Sequence, residues 1–68
     1  MNADQMSQRL HETFRAYVSA DGAATRAFVR YQAFEVSEAE VHRLQRLAAL
    51  AAEAHIEAMN AVARGDQR

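Results

Sequence analysis

The chain has 68 residues, half of them apolar, a formal charge of −1, and neither cysteine nor proline. That length supports one small domain near the lower limit for a self-sufficient core, and the missing thiols exclude disulfide staples and thiolate metal sites. A near-neutral balance argues against nonspecific attraction to nucleic acid.

Met1-Asn2-Ala3-Asp4 lacks the basic start of a signal peptide, and no apolar run approaches the roughly 20 residues of a membrane span. The expectation is a cytoplasmic protein without membrane contact. All eight basic residues are arginine, a composition that fits a GC-rich genome and also supplies the cation best suited to bidentate contacts.

From Met6 onward, Leu10, Thr13, Tyr17, Ala20, Ala24, Phe28 (with Ala27), Tyr31 and Phe34 recur at steps of three and four, one face of a helix. The phase runs through Asp21-Gly22 without slipping. It predicts one helix over about 4–34, against an alternative in which a break at Gly22 gives three helices.

Val36-Ser37-Glu38-Ala39-Glu40-Val41 is a helix start. Ser37 suits the N-cap, Glu40 is placed to reach back to the Ser37 amide, and Val36 and Val41 form a hydrophobic staple. The turn is expected at 35–37 and a second helix over about 38–64, with Gly65 as its cap. Its apolar face reads Val41, Leu44, Leu47, Ala48, Ala51, Ala52, Ile56, Met59 and Val62; Arg46, Glu53, Glu57, Asn60 and Arg64 form the solvated stripe. At 1.5 Å per residue the helices match at about 40–45 Å.

The fold class is therefore all-α, a two-helix antiparallel hairpin occupying residues 1–68 as one domain. Two helices cannot cover apolar faces this wide, so the hairpin is expected to dimerise into a four-helix bundle. Tyr17, Phe28, Leu44, Leu47, Ala51, His55 and Met59 are the expected dimer-interface residues. His55 reads as a seam histidine satisfied by a tyrosine hydroxyl or backbone carbonyl, or as a register pin or pH-sensitive element.

Outside the main face, Arg15, Ser19, Gly22, Arg26 and Arg30 follow one another at helical steps, and Phe14, Val18, Thr25 and Val29 form a second apolar stripe. Solvation and a broad core explain both. Read functionally, Phe14, Arg15, Val18, Arg26, Val29 and Arg30 make a partner-binding surface of apolar anchors beside an arginine rim, with Gly22 permitting close approach.

Catalytic chemistry has little to work with. His11, His42 and His55 lack ligand spacing on one helix face, and Glu53 with Glu57 lacks the histidine offset of bundle metal sites. No phosphate loop or nucleophile elbow is present. Neither a catalytic residue nor a metal or cofactor is expected, and the chain reads as a non-enzyme. Arg64-Gly65-Asp66 is better explained as a helix end than as an adhesion tripeptide.

The segments Met6 to Phe34, Glu35-Val36 and Glu38 to Arg64 together resemble the Rop-like plasmid regulators, homodimeric hairpins that grip paired RNA loops. The chain also looks like small helical phage and mobile-element proteins that sequester host proteins, including anti-activators of LuxR-type quorum-sensing regulators. These resemblances imply a homodimeric inhibitor of a host regulatory protein such as a DNA-binding transcription factor, or alternatively a Rop-like RNA-binding regulator.

Overall fold

The computed structural model describes residues 3–65, which fold as α1, Ala3–Gln32, a turn, and α2, Glu38–Gly65, with no strand among the described residues. α1 passes through Gly22 unbroken, and Gly22 has no positive φ. The glycine does not open the helix to α2. Arg26 folds back over it, so that an added Cβ would lie 3.3 Å from the Arg26 Nη1.

α1 ends two residues earlier than the periodicity suggests, through a Schellman turn. The Phe34 N–H donates to the Tyr31 carbonyl at 2.9 Å, and the Glu35 N–H donates to the Arg30 carbonyl at 2.8 Å. This pair of bonds needs a left-handed residue at Phe34, whose φ is 62°. Glycine normally fills that position. A bulky side chain there costs about 1–2 kcal/mol, and Phe34 recovers none of it by packing, being 95% exposed.

α2 begins as its sequence implies, though only half of the capping box forms. The Glu40 N–H donates to the Ser37 Oγ at 3.1 Å, and the Val41 N–H to the Ser37 carbonyl at 3.2 Å. The Glu40 side chain does not return to the Ser37 amide. It is held instead by two of the three guanidinium nitrogens of Arg43, Nε at 3.0 Å and Nη2 at 2.7 Å. A bidentate charge-assisted pair outcompetes a bond to a neutral amide. Gly65, expected as the C-terminal cap, lies within α2 and has no positive φ. Its bare Cα makes room for Met6, whose Cε would sit 2.7 Å from an added Cβ; Asp66 lies outside the described residues.

The helices run antiparallel along a seam of period 3.5. Met6, Leu10, Thr13, Tyr17, Ala20, Ala24 and Ala27 alternate steps of four and three on α1, and Val41, Leu44, Ala48, Ala51, His55, Ala58 and Val62 do so on α2. Among the described residues only Ala24, Ala27, Val41, Ala48 and Ala58 are buried. The seam thus takes Ala27 rather than the larger Phe28, and Ala58 rather than Ile56 or Met59, because small side chains let two lone helices approach closely.

The result is a rod of 52 × 14 × 12 Å with a radius of gyration of 15.4 Å, against about 11 Å for a compact domain of this length. Its accessible surface is 5251 Å², where a compact monomer of this mass exposes about 4,300 Å². Among the described residues nothing larger than valine is buried, so the seam alone supplies little of the 1.5–3 kcal/mol that each fully buried large side chain contributes.

Candidate binding surfaces of the hairpin

The 3.5-residue seam divides the rest of each helix into two flanks and an outer face. One cleft beside the seam is lined by Asp21, Thr25 and Phe28 of α1 with Gln45 and Ala48 of α2. Phe14 lies two heptads before Phe28, and Met59 two heptads beyond Gln45, so both columns fall on this same flank. Val18 and Ile56 sit one turn from Phe14 and Ala52 respectively and join it. Phe14, Val18, Phe28, Ile56 and Met59 are each between 44% and 52% exposed. This is the apolar flank, and Asp21 is the charged residue in its cleft.

His55 is where this flank meets the seam. Its ring centroid is 5.5 Å from that of Phe14, with the planes tilted at 52°, within the range of favourable aromatic pairing. Its Nδ1 is 3.1 Å from the Thr13 Oγ1, which also lies 2.9 Å from the Arg9 carbonyl and 3.1 Å from that of Leu10. A threonine hydroxyl has one proton. Directing it to a backbone carbonyl, the usual choice of a mid-helix threonine, leaves Oγ1 to accept from an Nδ1–H and satisfies both Oγ1 and Nδ1. His55 is therefore tied by a threonine, neither by a tyrosine nor by a carbonyl.

The opposite flank carries charge. A groove of about 530 Å³ runs between the C-terminal half of α1 and the first turns of α2, lined by Ala23, Arg26, Ala27, Val29, Arg30, Val36, Glu40 and Leu44. Leu47, one heptad beyond Glu40, and Leu50, one turn further, continue the apolar strip and are 46% and 61% exposed. Hydrogen bonding to Arg43 holds the Glu40 carboxyl below the usual carboxylate range, and the same pairing raises Arg43. Arg26 and Arg30 have no ion-pair partner among the described residues.

The residues expected to form one partner-binding surface are thus separated. Phe14 and Val18 lie on the apolar flank, Arg26, Val29 and Arg30 line the groove, and Arg15, two heptads before Val29, continues the groove-side column beyond it. The expected dimer set divides as well. Tyr17, Leu44, Ala51 and His55 are half-buried in the hairpin's own seam, Phe28 and Met59 belong to the apolar flank, and Leu47 to the groove side. The sequence stripes are real helical columns. What they could not supply is the rotation of α2 that decides which columns meet.

Among the described residues, no group of three or more His, Asp or Glu side chains is placed to hold a metal ion, and no helix is long and apolar enough to cross a membrane. No family model, curated protein or solved structure matches the chain.

Proposed function

We propose that this chain is a noncatalytic binding protein. It pairs with a second copy through its apolar flank into a four-helix bundle and acts by occupying the surface of another protein, as an inhibitor of a regulatory protein such as a transcription factor. The observation that supports it is the uncovered surface. The hairpin exposes on the order of 900 Å² more than a compact protein of its mass, close to the roughly 800 Å² each partner contributes to a standard interface. Phe14, Val18, Phe28, Ile56 and Met59 supply the apolar anchors on a flank with little charge. The second copy covers them, and the groove flank stays available to the client.

A Rop-like RNA grip draws less support. The chain carries a formal charge of −1, so it lacks the net positive charge that supplies most of the attraction to a phosphate backbone.

Light scattering across a concentration series tests the dimer. The expected mass is twice 7.6 kDa, falling to the single-chain mass in Phe28→Glu and in Ile56→Glu. A wild-type chain that stays at 7.6 kDa at about 100 µM, well above the dissociation constants of stable dimers, overturns it. Affinity capture with and without nuclease separates the clients: a protein partner survives digestion, whereas RNA captured without a stable protein partner overturns the inhibitor reading.

A further inference from the structure

We infer that the groove beside the turn binds an acidic amphipathic helix of the partner protein, with its apolar side chains on the groove floor and its carboxylates on Arg26 and Arg30. This deepens the protein-binding reading above and rests on it. The floor is apolar and shallow-walled. Ala23 and Ala27 present only methyl groups, and Val36 and Leu44 close the sides. Leu47 prolongs the apolar strip towards the middle of the rod. An incoming helix with anchors at i, i+3, i+4 and i+7 fits such a strip.

Charge selects the occupant. Arg26 and Arg30 stand one helical turn apart on the same rim, with no ion pair among the described residues. The acid facing them across the groove, Glu40, is already engaged by both arms of Arg43. The groove therefore presents two uncompensated arginines whose β-carbons stand about 5–6 Å apart along the helix. Carboxylates one turn apart on a partner helix match that interval and accept bidentate bonds. Phe34, held in a left-handed conformation and 95% exposed at the same end of the rod, adds a side chain whose backbone cost is not recovered within the hairpin.

The probe is an 18-residue fluorescein-labelled peptide with leucines at i, i+3, i+4 and i+7 and glutamates flanking them. The controls are a scrambled peptide of equal composition, a peptide with lysine at every glutamate position, and a single-stranded RNA of equal length. Saturable binding of the acidic peptide is expected, weakened about tenfold or more by Arg26→Glu with Arg30→Glu and by Ala23→Leu, which fills the floor. The lysine peptide should bind the double-glutamate variant better than the wild type, a charge swap that mere damage to the fold cannot produce. Equal affinity for the scrambled peptide, or an unchanged affinity in the double variant, overturns the proposal. So does RNA binding that exceeds peptide binding and disappears in that variant. Light scattering on the same samples keeps the two readings apart: a single-chain mass with intact peptide binding removes the dimer and leaves the groove.

Discussion

The Thr13 Oγ1 and the His55 Nδ1, 42 positions apart in sequence, lie 3.1 Å apart and lock the register of α1 against α2. The seam is otherwise lined mostly by alanine and aliphatic side chains, and this pair adds a directional contact between the helices. Thr13→Val keeps the shape and removes the acceptor, leaving a half-buried imidazole N–H without its partner. The expected loss is about 1–2 kcal/mol. Urea unfolding of Thr13→Val, His55→Leu and the double variant checks it. A double variant less damaged than the two single losses added together shows the coupling, whereas strict additivity removes the register role.

Phe34 gives the opposite sign. Replacing it by glycine relieves the left-handed backbone without loss of packing, so Phe34→Gly should stabilise the hairpin by about 1 kcal/mol. Phe34→Ala keeps the β-carbon and should change stability by less than about 0.5 kcal/mol. If alanine stabilises as much as glycine, the conformational cost has been misplaced.

Gly22 sits within a continuous helix and faces the flexible end of Arg26. Gly22→Ala is expected to raise stability by up to about 1 kcal/mol, with the guanidinium yielding a few tenths of an ångström. Differential scanning calorimetry at fixed protein concentration reads this directly. A lower midpoint would mean that Arg26 is fixed in place rather than mobile.

The Glu40–Arg43 pair makes the N-terminus of α2 sensitive to acid. The folded carboxyl is held below its ordinary value by Arg43, so its contribution is present above the unfolded pKa and is lost as pH falls through the lowered folded one. Because the pair is exposed, the change is small and is further screened by salt. The midpoint should fall slightly more on acidification in the wild type than in Glu40→Gln. Identical pH profiles would show that the pair adds nothing to folding.

The hairpin itself was legible because its signals are local. A capping serine, a staple and an unslipped three-four period each depend on neighbours within a turn or two, and they place the corner correctly at Val36-Ser37. The seam was less legible, since apolar size favours Leu47, Ile56 and Met59 over Ala48 and Ala58. In a two-helix layer close approach favours the small residues instead, and that preference emerges only when the facing helix is present. Phe34 carries no sequence mark of a left-handed residue at all, its conformation being imposed by the bonds of Glu35 and its own N–H to the end of α1. For the candidate surfaces, the columns on α1 were correctly read as columns. The apolar pair Phe14 and Val18 falls on the other flank from Arg26, Val29 and Arg30, a division that depends on which column of α1 the second helix covers.

A rod two helices thick has no interior in the ordinary sense, and every side chain is at most one layer from solvent. The usual separation between residues that hold a protein together and residues that let it recognise something therefore collapses. Each heptad column can be rewritten almost independently of the others, so this architecture can change what it recognises by altering a handful of positions seven apart while leaving the alanine seam untouched.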